Sequence, residues 1–246
     1  MTKYKVVVQY LSAGYSGWQV QKDLPTIGGT IEAVLSRLTG ESPAVVGSGR
    51  TDAGVHALGQ VAHFRLEKPC CSKRLLRSLN GLLPMNIRVL RLVTVPPSFH
   101  AQKDVLKKRY VYRIYNGPIL SPFLHGRVYQ VFPVLDFDRM QEAAESICGS
   151  HDFSGFAAST TRVKNRSRNV VLSGWRRKGR SLEYRIEGKG FLHHMVRNIV
   201  GTLVQVGLGK RPPESMLEIL KAGDRRRAGP TAPAEGLYLA KVWYSF

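Results

Sequence analysis

Pro96-Pro97 separates two stretches in which the apolar period runs in the same order, from strand through helix and back to strand. Adjacent prolines neither continue a helix nor donate to a sheet ladder. Before them, Lys3–Tyr10 is β-branched and partly alternating, the pattern of a strand. From Thr30 to Gly40, Ile31, Val34, Leu35 and Leu38 fall at helical spacing, stopped by glycine. Val61–Phe64 and Arg88–Val95 are expected as strands. Ser72 is expected to cap a helix with Leu75, Leu76 and Leu79 inward and Gly81 at its end. After the prolines come strands at Lys108–Tyr115, Asn169–Trp175, Leu182–Glu187 and Leu237–Tyr244. Helices are expected from Asp136 or Asp138 to Gly149, from Leu192 to about Val206, and from Pro213 to Lys221. The first of these buries Met140, Ala143, Ala144, Ile147 and Cys148, so its two aspartates are caps rather than metal ligands. The expected class is α+β, with a half over 1–105 and a second over 106–246, sharing a cleft.

A chain of 246 residues, 43% hydrophobic and 22% charged, can bury a real core. No apolar run is long enough to span a bilayer, and MTKYKVVVQY enters a strand without an apolar leader. Three cysteines, two of them adjacent (Cys70 and Cys71, with Cys148 apart), make neither a disulfide framework nor a zinc pattern and suit a reducing cytoplasm. The formal net charge is +20, with basic runs at 107–109, 162–168, 176–180 and 225–227 among Tyr110, Tyr112, Tyr115, Phe156 and Trp175. A spread positive field with aromatic neighbours favours nucleic acid as partner. A membrane surface is disfavoured, because no basic helix carries a bulky apolar face.

Glycines crowd GSGRTDAGVHALGQ (47–60), yet no lysine with Ser/Thr follows at Walker spacing and G-x-G-x-x-G is absent. Gly14-Tyr15-Ser16-Gly17 is not a nucleophile elbow, since Trp18 follows. His193-His194, expected on a helix, would point about 100° apart and could not share an ion. None of the seven aspartates pairs with a histidine at ligand spacing, so no metal is expected. Asp52 remains. Taken locally, Arg-Thr-Asp-Ala-Gly is an ordinary turn. In so basic a chain, however, a carboxylate beside arginines stays ionised and would repel an RNA phosphate. Its presence there suggests a task that a neutral residue could not perform.

GRTDAGVHALGQVAHF (49–64), YSGWQ (15–19), FHA (99–101), KRYVYRIYN (108–116), HDFSGF (151–156), FLHHMVRNIVG (191–201) and TAPAEGLYL (231–239) occur in family order along essentially the whole chain. In these the chain resembles the TruA-type tRNA pseudouridine synthases. The resemblance implies the pseudouridine synthase fold, a mixed sheet of two ferredoxin-like halves around a basic cleft. It implies a homodimer that holds a tRNA across both subunits and isomerises uridines 38, 39 and 40 of the anticodon stem-loop without metal or cofactor. Asp52 then matches the nucleophile, attacking either the ribose C1′ or C6 of the uracil. Arg50 matches the arginine that helps flip the base, Tyr110 the ring packed on it, and Arg197 the basic partner of the aspartate.

The family pattern is broken at Leu11-Ser12-Ala13, at Gly28 where glutamine is usual, and at Gln102-Lys103-Asp104-Val105. None is one of the four matched residues. The alternatives are the same chemistry at other RNA positions, or a non-catalytic RNA-binding or chaperone module in which Asp52 only makes a turn.

Overall fold

Alternation near the N-terminus becomes β1 (Thr2–Tyr10), with Tyr4, Val6, Val8 and Tyr10 buried and Gln9 exposed. The structure is a computed structural model describing residues 1–161 and 163–245. Arg162, with which the basic run 162–168 begins, lies outside the described residues. Along the chain follow α1 (Ile27–Thr39), β2 (Val46–Gly47), β3 (His56–Leu66), α2 (Ser72–Leu82) and β4 (Ile87–Val95). Next are β5 (Lys107–Asn116), β6 (Tyr129–Val131), α3 (Phe137–Glu145), β7 (Gly149–Asp152), β8 (Ser167–Lys178) and β9 (Ser181–Gly188). The chain closes with α4 (Met195–Gly207), α5 (Ser215–Ala222) and β10 (Leu237–Trp243). Among the described residues, no helix is long and apolar enough to cross a membrane. Cys70, Cys71 and Cys148 are free thiols.

Two units emerge: Met1–Leu106 with the chain from Tyr238 onward, and Lys107–Leu237. A division by chain order would keep β10 with the second half. Its parallel pairing of Tyr238 with His56 and Leu239 with Ala57 joins it to the first.

In the first unit β4, β1 and β3 are antiparallel neighbours, β10 lies parallel to β3, and β2 pairs with β3. Helix α1 buries Ile27, Ile31 and Leu35 and starts earlier than expected. Thr26 Oγ1 accepts the Gly29 N–H at 3.2 Å, while Gly17 O and Trp18 O accept from Ile27 and Gly28 at 3.0 Å each. These oxygens satisfy donors that a helix start would otherwise orphan. Two glycines in that first turn hid it from the apolar pattern. Ser72 is the first helical residue of α2 rather than its cap, and the helix passes through Gly81 to Leu82. Leu75 and Leu79 are its buried residues, with Leu76 only half-buried.

His63 on β3 is buried, and its Nδ1 accepts the Ala101 N–H at 3.2 Å. Burial lowers its pKa to about 4, helped by the positive neighbourhood of His100, Lys3 and Arg65 and opposed by Asp104.

In the second unit β5, β9, β8 and β7 are antiparallel neighbours, and β6 lies parallel to β5. Asp136 caps α3, its Oδ1 accepting the Arg139 N–H at 3.1 Å. Met140, Ala143, Ala144 and Ile147 are buried as expected, but Cys148 is exposed because the helix ends at Glu145. Ser173 Oγ on β8 donates to Ala144 O at 2.6 Å and sits 2.7 Å from Tyr184 OH on β9, tying helix to sheet. Helix α4 starts at Met195, three residues later than expected, and packs closely against its neighbours. A Cβ on Gly207 would fall 2.4 Å from Met140 Sδ, and one on Gly201 only 1.7 Å from Pro230 O.

Two outcomes follow from this packing. Gly201→Ala, which in an open helix would stabilise by up to about 1 kcal/mol, is expected to destabilise by about 3 kcal/mol through overpacking, read as a lower urea midpoint. Unfolded histidine binds its proton near 6.5 and folded His63 only near 4. The unfolded chain therefore holds more protons between those values, and stability falls as pH drops through that window. In His63→Gln the urea midpoint should depend less steeply on pH there.

Candidate active site

Arg50, Thr51 and Asp52 lie in the loop between β2 and β3, and the loop is anchored residue by residue. Ser48 N–H donates to Val61 O at 2.7 Å, and Ser48 Oγ donates to Gln60 Oε1 at 2.7 Å. Gln60 Nε2 in turn donates to Gly49 O at 2.9 Å. Thr51 Oγ1 lies 2.8 Å from Tyr10 OH, and Thr51 O accepts the Trp18 N–H at 3.1 Å. Beyond Thr51 the chain turns sharply: Val55 N–H donates to Asp52 O at 3.1 Å, and Gly54 takes a φ of 79°. A positive φ at the third position of a turn is the type II pattern that glycine serves. The turn expected from the sequence is real, and Asp52 is its first residue.

Burial sorts the side chains of this loop. Ser48 and Thr51 are buried, Asp52 is half-buried and Arg50 is exposed. The YSGWQ motif explains itself here. Gly17 adopts a φ of 90°, and a Cβ on it would sit 2.5 Å from Thr51 O. Only glycine lets the Trp18 backbone reach both this loop and the start of α1. Gly28 replaces the glutamine usual in the resembled family, and its N–H lies against Trp18 O, leaving 2.6 Å for any Cβ. Ser12, another departure, is buried and its hydroxyl has no hydrogen-bond partner among the described residues, while its N–H donates to His56 Nδ1 at 3.0 Å.

Tyr110 and Arg197 belong to the second unit. On β5 the motif Lys108-Arg109-Tyr110 divides by strand alternation. Arg109 stands opposite Glu187 in the register and binds its Oε1 from Nε at 2.6 Å and from Nη2 at 2.5 Å. Lys107 Nζ reaches Glu187 Oε2 at 2.5 Å. Burial pushes the Glu187 pKa up, but the hydrogen bonds and charges of Lys107 and Arg109 outweigh it and leave it lowered. Lys108 and Tyr110 take the other face. Tyr110 is buried, with Phe191 packed edge-on at 5.2 Å, and burial lowers the Lys108 pKa to about 8. Phe191 and the perturbed Lys108 were inside quoted motifs, but nothing in their spacing singled them out.

Arg197, half-buried in the first turn of α4, donates from Nε to Ala232 O at 2.7 Å, while Ala232 N–H donates back to Arg197 O at 3.1 Å. The next residue, Asn198, is fully buried: its Nδ2 donates to Phe156 O at 2.7 Å, and its Oδ1 accepts from Thr231 Oγ1 at 2.7 Å. Together these bonds hold Thr231 and Ala232 against α4 and limit the freedom of the guanidinium. His193 and His194 correct an expectation. They precede α4 instead of lying on it, His194 has a φ of 59°, and their ring centroids lie 4.0 Å apart with the planes tilted by 38°. The 100° divergence expected of helical neighbours therefore does not apply.

A family model described as tRNA pseudouridine synthase matches residues 143–245. A tRNA pseudouridine synthase A of Acetivibrio thermocellus is 42% identical over 244 residues, covering 99% of this chain and 100% of that protein. One from Brevibacillus brevis is 45% identical with the same coverage, and one from Myxococcus xanthus is 41% identical over 99% of this chain and 92% of its own. Identity at this level along the full length, with the α+β architecture above, means that the chain belongs to the tRNA pseudouridine synthase A family of isomerases and has the pseudouridine synthase fold.

Proposed function

We propose that the protein isomerises uridines 38, 39 and 40 in the anticodon stem-loop of tRNA to pseudouridine, with Asp52 as nucleophile. The observation that carries this reading is the loop itself. A turn serving only the fold has no need of four anchored positions in five residues, yet Ser48, Gly49, Thr51 and Asp52 O are all held while Arg50 stays exposed. Such an arrangement suits a carboxylate that must meet a reacting atom in a narrow range of positions. The charge of +20 suits a polyanionic substrate.

In one course the Asp52 carboxylate attacks C1′, the N1–C1′ bond breaks and an ester forms. The uracil turns, C5 bonds to C1′ and expels the carboxylate, and the C5 proton passes to a base while N1 takes one up. In the other course Asp52 adds to C6 across the C5–C6 double bond, the N1–C1′ bond breaks and C5 bonds to C1′. Loss of the C5 proton then expels the carboxylate from C6 and restores the double bond, while N1 takes up a proton. Either way the change is redox-neutral and requires no cofactor. In this reading Arg50 occupies the space left by the flipped base, Tyr110 packs on it, and Arg197 is the basic partner that orients the carboxylate. The proposal includes a homodimer and a reducing cytoplasm, where the three free thiols stay reduced.

Because the C5 hydrogen must leave, tRNA tritiated at C5 reports each turnover. Asp52→Asn should lower label release by about 10³-fold or more while leaving tRNA binding within about twofold. Comparable release from Asp52→Asn would remove it as nucleophile and favour a non-catalytic RNA-binding module. Tyr110→Ala should lower release by about 10²-fold while the chain still melts cooperatively, at a lower temperature because a buried ring is lost. Mapping the modified uridines in tRNA from a deletion strain tests the positions. Binding measured between 50 and 200 mM salt should weaken by roughly 10³-fold if about six phosphates are contacted.

A further inference from the structure

We propose that Tyr10 is a positioning residue for the chemistry at Asp52, acting through the Thr51 side chain. The inference rests on the reading of Asp52 as nucleophile.

Tyr10 ends β1 with 2% of its surface exposed, and Gln60 in β3 is fully buried. A side chain that served packing alone would be less costly to bury without a hydroxyl or an amide. Each polar group here is aimed at the Asp52 loop. Tyr10 OH meets Thr51 Oγ1 at 2.8 Å, and Gln60 joins Gly49 O at 2.9 Å while accepting from Ser48 Oγ at 2.7 Å. Burial raises the Tyr10 pKa well above its ordinary value, so the phenol stays neutral and acts only as a hydrogen-bonding group.

Side-chain direction makes the consequence local. Thr51 lies between Arg50 and Asp52, and its side chain is held inward by Tyr10. The two flanking side chains are therefore the ones left outward, exposed at Arg50 and half-exposed at Asp52. The Trp18 N–H on Thr51 O blocks rotation of the adjoining peptide. Releasing Thr51 would let both outward groups shift, and shifts near 1 Å at a reacting group can cost about 10² in rate.

The test is steady-state C5 label release with Tyr10→Phe, Thr51→Val, the double variant and Thr51→Ser, beside wild type and Asp52→Asn, with melting curves for each. The expected result is a fall in kcat of about tenfold or more in Tyr10→Phe and in Thr51→Val, with KM for tRNA within about twofold. The double variant should be no slower than the slower single, because both remove one contact, and Thr51→Ser should recover most of the loss seen in Thr51→Val. Wild-type kcat in both single variants, a loss confined to KM, or additive losses in the double would overturn the proposal. Should Tyr10→Phe lose its cooperative melt, the Thr51→Val and Thr51→Ser pair decides. An inactive Asp52→Asn with a fully active Tyr10→Phe refutes positioning alone, whereas an active Asp52→Asn refutes the nucleophile reading itself.

Discussion

The hydrogen bond between Tyr10 and Thr51 is the contact on which the Asp52 loop turns. It joins the last residue of β1 to a loop 41 positions away, both partners out of water. An unpaired hydroxyl there would cost about 1–3 kcal/mol. That asymmetry gives a short bond its directing force: the loop has one conformation in which Thr51, Gly49 and Ser48 are all satisfied. The glycine of YSGWQ is coupled to the same requirement, since any Cβ at Gly17 would collide with Thr51 O. Motifs that look independent in the sequence are thus parts of one contact set.

A parallel logic governs the second unit. Glu187, buried and opposite Arg109 in the register of β5 and β9, binds both Arg109 and Lys107. With those cations engaged on one face, alternation leaves Lys108 and Tyr110 to the other. Arg197 is oriented by Ala232 on one side, and its neighbour Asn198 ties down Thr231. Residues that appear as a string of basic and polar letters are therefore divided by the backbone between two faces of the strand, with Arg109 and Lys107 engaged on one and Lys108 and Tyr110 on the other.

Much of this was legible beforehand. The strands around Lys3–Tyr10 and Lys108–Tyr115, the α3 cap at Asp136 and the turn at Asp52 rest on local periodicity and local hydrogen bonding, which a linear sequence carries. Other features were not legible. The start of α1 depends on Gly17 and Trp18 oxygens outside the helix, and its glycines blur the apolar stripe. Helix α2 passes through Gly81, and His193 and His194 stand before α4, because helix ends are set by neighbours as much as by propensity. The short strands β2, β6 and β7 are too brief to show a period.

By itself the sequence determined a charge of +20, which favours a polyanionic partner, and the α+β order, through its apolar periods. Its motifs determined the family. Tertiary structure alone decided which side chains of those motifs are buried anchors and which are presented. It also decided that β10 joins the first unit. The reason is physical: Tyr10 with Thr51, Glu187 with Arg109, and Tyr238 with His56 are contacts between residues far apart in the chain. Their strength comes from removing both partners from water together, which no local pattern encodes.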